Sequence, residues 1–284
     1  MKATTVIESV LHLRVVIRKW REQQFKIGFV PTMGNLHAGH IKLVETAQQH
    51  CDKVIVSIFV NPMQFGPNED FDRYPRTFQA DYEKLSIQNA DAVFVPCANE
   101  IYPHGLTQQT FVEVPELSNE LCGAVRPGHF RGVCTVVTKL FNLVQPDMAF
   151  LGEKDYQQLA VIKQMTADLC LPIDIVGVAT VREKDGLALS SRNQYLTPEQ
   201  RENNVIYPLL CEVRDEIIAG ERDYLSLCEK ANEQLIAAGF KPDYFSICRQ
   251  HDLKPATAED KKLVILTAAY LGKTRLIDNV AFEL

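Results

Sequence analysis

The apolar positions of this chain follow two rhythms. Short unbroken runs of Val, Ile and Phe alternate with longer stretches in which apolar residues recur every three or four positions. The unbroken runs at 27–30, 53–60, 92–95, 147–151 and 174–179 predict strands. Between them, residues 38–50, 77–89, 133–145 and 155–169 carry helical spacing. Residues 4–22 put Val6, Val10, Leu13 and Ile17 on one stripe, which predicts an amphipathic opening helix. Strands without polar alternation are buried on both faces, so the sheet should be parallel and covered by helices on each side. The expected fold class is α/β, a doubly wound Rossmann-like parallel sheet. After about residue 180 the rhythm changes. Helices expected at 198–219 and 223–238 precede strand-like segments at 243–248, 263–271 and 274–278, with Gly220 and Gly239 as helix stops. Two domains are therefore expected, residues 1–180 and a smaller α+β domain over 181–284.

In a doubly wound sheet, ligands bind beyond the carboxyl ends of the strands. The polar segments 31–40, 61–65 and 152–158 each directly follow a predicted strand, so all of them fall on that edge. The first reads Pro-Thr-Met-Gly-Asn-Leu-His-Ala-Gly-His and passes from strand through a tight loop into a helix. A helix N-terminus presents unpaired N–H groups and the positive end of its dipole, a ready site for phosphate. His37 and His40 share one face of that first turn, and Gly39 between them lets a ligand approach the backbone closely. The arrangement suits nucleotidyl transfer, in which charge builds on an α-phosphate under attack. A surface helix that merely starts with two histidines is the bland alternative, and the preceding strand weighs against it.

The other segments are weaker when taken singly. Lys154 offers a mobile ammonium for a β- or γ-phosphate and Asp155 an acceptor for a ribose hydroxyl, although Asp155 would also serve as a plain helix cap. Ser190, Ser191 and Arg192 bring hydroxyls and a fork of N–H donors to a loop that could wrap a triphosphate or simply hinge two domains. Arg126, His129 and Arg131 sit in an expected Pro/Gly loop, fit for a carboxylate or phosphate or for solvent. Gln64 combines donor and acceptor, useful for a substrate bearing hydroxyl and carboxylate groups.

Composition narrows the field. With 46% hydrophobic and 23% charged residues in 284, the chain is ordinary for a globular protein with a sizeable core. A net charge of −6 argues against a nucleic-acid or anionic-membrane partner. Against that background Arg126, Arg131, Lys154, Arg182, Lys184 and Arg192 lie in these loops, the last of which spans 181–193, and this points to a small polyanion as ligand. The 8 cysteines form no C-x-x-C pair, and the first residues lack a signal-peptide pattern, so a reducing, cytoplasmic location is expected. No apolar run approaches the ~18 residues of a membrane span. There is no Walker P-loop, no G-x-G-x-x-G fingerprint and no zinc-ligand spacing.

Taken together, P-T-M-G-N-L-H-A-G-H, F-V-N-P-M-Q-F, R-P-G-H-F-R-G-V, G-E-K-D-Y-Q-Q-L, D-G-L-A-L-S-S-R-N and L-G-K-T-R-L-I-D-N resemble the pantoate–β-alanine ligases, in order from about residue 27 to 280. That family lies among the H-x-G-H nucleotidyltransferases, and its members are typically cytosolic homodimers. Leu151 stands where the family often has Phe, and Cys134 where Thr is common. The resemblance implies that pantoate attacks the α-phosphate of Mg²⁺-ATP, giving pantoyl adenylate and pyrophosphate. β-Alanine then displaces AMP to give pantothenate. It implies catalytic roles for His40, His37 and Lys154. ATP contacts are implied at Met33, Gly34, Asn35, Leu36, His37, Ala38, Gly39, His40, Gly152, Glu153, Lys154, Asp155, Val181, Leu189, Ser190, Ser191 and Arg192. Substrate contacts are expected at Gln64, Gln158, Arg126 and His129, a metal-proximal carboxylate at Asp81, and a lid over ATP from the second domain. A related nucleotidyltransferase making a diphosphate would need a second anion pocket, and a non-catalytic nucleotide binder would not keep the histidines and lysine.

Overall fold

The structure is a computed structural model that describes residues 3–67, 69–202 and 204–284, without the Glu202 side chain. It divides into two compact units, Met1–Glu153 with Val161–Ala179, and Lys154–Ala160 with Thr180–Leu284.

Up to residue 178 the elements run β1 (Thr5–Ile7), α1 (Val10–Glu22), β2 (Ile27–Thr32), α2 (Ala38–His50), β3 (Lys53–Ile58), α3 (Phe78–Ile87), β4 (Ala92–Phe94), α4 (Ala98–Ile101), α5 (Cys122–Val125), α6 (His129–Val144), β5 (Met148–Gly152), α7 (Tyr156–Asp168) and β6 (Asp174–Val178), all in the first unit except the opening residues of α7. The strands form one sheet in the order β1-β4-β3-β2-β5-β6. Every pairing is parallel. The expected doubly wound sheet is therefore present. Consecutive residues of β2 show why its run is unbroken. Phe29 meets Phe141 of α6 edge-on at 6.2 Å, while Val30 packs into the cluster of Leu43, Val44 and Phe150 on the opposite face. Both are fully buried, each contributing about 1.5–3 kcal/mol. Strand order reverses at β2, whose neighbours are β3 and β5. The topological switch point, where such sheets bind ligands, lies between the carboxyl ends of β2 and β5.

The predicted opening helix is corrected. Residues 5–7 are a strand that pairs with β4, Thr5 opposite Ala92, and Ser9 starts the helix by accepting from the His12 amide at 3.3 Å. The β-branched run Thr5-Val6-Ile7 and the cap at Ser9 end the helical stripe that seemed to include Val6. Helix α6 also begins earlier than expected. Gly128, at φ 80, turns the chain so that His129 opens the helix, and His129 and Arg131 lie on its first turn rather than in a loop.

In the second unit, helices α8 (Pro198–Glu202), α9 (Ile206–Ile218) and α10 (Tyr224–Ala237) precede strands β7 (Phe240–Arg249), β8 (Lys262–Leu271) and β9 (Thr274–Glu283). The strands form an antiparallel sheet in the order β7-β8-β9. Its core joins Leu210 and Ile217 of α9, Leu235 of α10, and Leu263 and Ile265 of β8, all fully buried. The single helix expected at 198–219 is two helices, Pro198–Glu202 and Ile206–Ile218, and Asn203, within the expected span, lies outside the described residues.

Candidate active site

The histidine loop leaves β2 through two left-handed residues, Gly34 at φ 83 and Asn35 at φ 50. A side chain at Gly34 would stand 3.0 Å from Ile58 and 3.2 Å from the Asp81 carboxylate, so the turn needs glycine for space as well as for φ. The turn aims successive amides at one acceptor. The Asn35 N–H donates to Asp81 Oδ2 at 2.8 Å and the Leu36 N–H to Oδ1 at 2.7 Å. Thr77 Oγ1 adds a third bond at 3.1 Å. One turn further along α3, Lys84 Nζ donates to the Leu36 carbonyl at 2.6 Å. Helix α3 thus grips both polarities of the loop backbone. Asp81, expected beside a metal, is fully buried with both oxygens engaged by the loop, and these contacts are those of an anchor.

His37 is the N-cap of α2. Its Nδ1 accepts from the Gly39 N–H, and His40 Nδ1 accepts from the His37 N–H, each at 3.2 Å. This is a reciprocal capping box built from two imidazoles instead of the usual hydroxyl and carboxylate. A ring nitrogen that accepts from an amide carries no proton, so on each neutral ring the proton sits on Nε2. The rings lie 4.1 Å apart, centroid to centroid, tilted by 46°. Backbone capping therefore decides the tautomer and presents Nε2–H donors beside the positive end of the helix, chemistry that suits a phosphate gaining charge.

The segment after β3 is a short 3₁₀ turn, Pro62–Gln64, capped by Asn61. Gln64 and Asn61 are both buried, and Asn61 Nδ2 donates to Gln64 Oε1 at 3.0 Å. Helix α6 comes close enough that a side chain at Gly132 would sit 2.5 Å from the Met63 carbonyl oxygen. Arg126 and His129, expected to bind substrate, have structural partners. Arg126 forms a bidentate pair with Glu69 at 2.6 Å on each arm, and its NH1 lies 3.0 Å from His129 Nε2. His129 Nδ1 is 2.8 Å from the Gln64 carbonyl, which can only accept, so Nδ1 donates and Nε2 accepts from the guanidinium. Burial alone would raise the Glu69 carboxyl, but the Arg126 guanidinium holds it below the usual carboxylate range. The chain Glu69–Arg126–His129 thus steadies Gln64 from behind. Beneath the histidine loop, Met33, Gly34, Phe59, Thr77, Phe78 and Asp81 help to line a cavity of about 340 Å³.

In the second unit, the 181–189 segment is a small hairpin. Arg182 bridges Ala188, and the Leu189 N–H donates to the Val181 carbonyl at 3.0 Å, so two expected ATP contacts are neighbours. Ser190 then caps the 3₁₀ turn Ser191–Tyr195 through the Arg192 amide at 3.3 Å. Arg182 has partners within the fold. It holds Asp278 of β9 in a bidentate pair at 2.6 and 2.9 Å and lies 3.6 Å over the Tyr207 ring. The next residue of β9, Asn279, donates to the Lys154 carbonyl at 2.9 Å. Strand β9 therefore draws Lys154 and the hairpin together, a role for Asp278 and Asn279 that spacing does not reveal. Lys154 and Gln158 are half-buried, and Asp155 is exposed. Gly152 ends β5, and Glu153 opens the 3₁₀ turn Glu153–Asp155 that contains Lys154. Among the described residues no cluster of His, Cys, Asp or Glu is disposed to hold a metal ion. No helix there is long and apolar enough to cross a membrane.

A sequence model of the pantoate–β-alanine ligases matches residues 5–281. The chain belongs to the pantoate–β-alanine ligase family. It is 55% identical over 279 residues to the pantothenate synthetase of Pseudomonas putida (strain W619), covering 98% of this chain and 97% of that one. A solved pantothenate synthetase of Thermus thermophilus superposes with a TM-score of 0.91 at 43% identity, covering 98% and 99% of the two chains. The pantoate–β-alanine ligase of Francisella tularensis, solved with a β,γ-ATP compound and β-alanine, gives a TM-score of 0.79 at 37% identity, covering 98% and 97%. The activity is that of an ATP-using ligase joining pantoate to β-alanine.

Proposed function

We propose that the ligase works through an acyl adenylate formed at the His37–His40 helix start. A pantoate carboxylate oxygen attacks the α-phosphorus of ATP, and the bond to the β-phosphate bridging oxygen breaks, releasing pyrophosphate. The β-alanine amine then attacks the acyl carbon of pantoyl adenylate. The C–O bond to AMP breaks, the amine loses a proton, and the amide of pantothenate forms. The observation that carries this reading is the double-histidine capping box, which leaves the proton of each neutral ring on Nε2 at the start of the helix that follows β2. In-line displacement at phosphorus needs positioning and charge stabilisation more than a nucleophilic side chain. His40 and His37 donate hydrogen bonds to the α-phosphate, and Lys154 serves the β- or γ-phosphate. ATP is held by residues 33–40, 152–155 and 189–192 with Val181, and pantoate by Gln64 and Gln158. The Francisella complex with a β,γ-ATP compound and β-alanine supports the same small-molecule partners here.

Among the described residues the acidic side chains do not form a cage for Mg²⁺, and Asp81 faces backbone N–H groups. ATP is accordingly proposed to enter as its magnesium complex, the ion carried on the triphosphate, as is usual for Mg²⁺ at phosphate sites. Segment 190–192 is proposed to close over ATP, since an acyl adenylate must be kept from water. Amide exchange at 190–192 should slow when an ATP analogue binds, and unchanged exchange would remove the lid. Sedimentation tests the proposed homodimer, and cell fractionation the proposed cytoplasmic location. The deciding experiment is pyrophosphate–ATP exchange without β-alanine. Exchange that requires pantoate supports the adenylate. Its absence in protein that binds ATP would refute it.

A further inference from the structure

We propose that Tyr102 is a positioning residue that, through Asn61, holds the Gln64 amide in place for substrate. The inference rests on the reading above that Gln64 contacts pantoate. The two ends of a side-chain amide have nearly the same shape, so only their neighbours tell O from N. Asn61 has neighbours of fixed polarity on both ends. The Met63 N–H can only donate, and it meets Asn61 Oδ1 at 3.3 Å. The Gly132 carbonyl can only accept, and it meets Nδ2 at 3.2 Å. Asn61 therefore presents its NH₂ to Gln64, whose Oε1 accepts at 3.0 Å. Gln64 is left with its own NH₂ directed towards Met33, the nearest polarisable atom being the thioether sulfur at 3.1 Å. A thioether is a weak acceptor, easily displaced by a carboxylate or hydroxyl oxygen. Gln64 is thus built to read an oxygen acceptor on the substrate.

The two backbone bonds that orient Asn61 are long. The strong one comes from Tyr102, whose hydroxyl donates to Asn61 Oδ1 at 2.7 Å. Tyr102 is buried, and burial pushes its phenol far above the usual range, so it stays a donor at every working pH. Its ring is held in turn by Lys139, whose ammonium lies 4.7 Å from the ring centroid and bonds the Ile101 carbonyl at 2.6 Å. Without the hydroxyl, Asn61 keeps only the two long backbone bonds, and the Gln64 amide it holds is placed less firmly against the substrate.

The test is a double-mutant cycle in the full-length enzyme with Tyr102→Phe and Gln64→Ala, read as KM for pantoate, KM for ATP and kcat. Tyr102→Phe should raise the pantoate KM about tenfold, the worth of one well-formed hydrogen bond, and leave the ATP KM unchanged. The double variant should match Gln64→Ala alone, because a residue that acts through Gln64 has nothing to add once it is gone. Additive effects, or a lower melting temperature and kcat with an unchanged pantoate KM, would make Tyr102 merely structural and overturn the proposal. A pantoate KM unmoved by Gln64→Ala would instead refute the Gln64 contact itself, and the inference with it. Should Tyr102→Phe fail to fold, the wild-type enzyme still tests the Gln64 contact on which the inference rests. Pantoate must shift the Gln64 side-chain NH₂ signals in ¹⁵N spectra, and unshifted signals would overturn the proposal.

Discussion

Asp81→Asn separates an anchor from a metal ligand with one atom changed. In the native protein Oδ1 accepts from the Leu36 amide at 2.7 Å, while Oδ2 accepts from the Asn35 amide and the Thr77 hydroxyl at 2.8 and 3.1 Å. The least damaging placement of an asparagine keeps its oxygen at the Oδ2 position and puts NH₂ against the Leu36 N–H. That loses one charge-assisted bond, worth about 1.5–3 kcal/mol, and leaves a buried donor unpaired for a further 1–3 kcal/mol. Relief from burying a carboxylate offsets part of the sum. The expected net loss is about 3 kcal/mol, which lowers the melting midpoint of the first unit by about 6–12 °C. The histidine loop should loosen with it. Pyrophosphate–ATP exchange should fall well below wild type, while the Mg²⁺ concentration giving half-maximal rate stays the same. Chemical denaturation, calorimetry and a magnesium titration of the exchange rate read these quantities. A variant of native stability whose Mg²⁺ requirement rises several-fold would refute the anchor and restore the metal role.

His40→Ala should fold normally and lose about 10²–10³ in pyrophosphate–ATP exchange, the usual cost of removing one transition-state donor; near-native exchange would remove its role. Gly132→Ala places a methyl 2.5 Å from the Met63 oxygen, a collision between backbones that no rotamer relieves. It should cost about 1–3 kcal/mol in denaturation and raise the pantoate KM more than the ATP KM. The Glu69 carboxyl, held low by Arg126, has a folded value below its ordinary 4.5. Its pairing therefore contributes stability above about pH 4.5 that is lost as pH falls through the folded value. Glu69→Gln should flatten that acid limb in pH-dependent unfolding, and an unchanged slope would show that the pair contributes nothing.

Periodicity carried the parallel sheet, because Phe29 and Val30 must both be apolar when helices cover both faces. The local motif carried the histidine site, since strand, turn glycine and helix start all lie within residues 27–40. Opening strand β1 was hidden, because three residues of β character next to a capped helix read as part of that helix. The partners of the basic residues were hidden for a different reason. Arg126 and Arg182 lie in polar loops where a polyanion seemed the natural partner, yet Glu69 lies 57 positions from Arg126 and Asp278 lies 96 positions from Arg182. Pairings at that separation leave no periodic trace, and folding alone decides which carboxylate reaches which guanidinium. The same holds for Asp81, Asn61–Tyr102 and Asn279–Lys154. The sequence by itself determined which elements form and that a helix would begin on paired histidines. Tertiary structure decided how the site is held, because polarity at buried amides and carboxylates is set by neighbours distant in the chain.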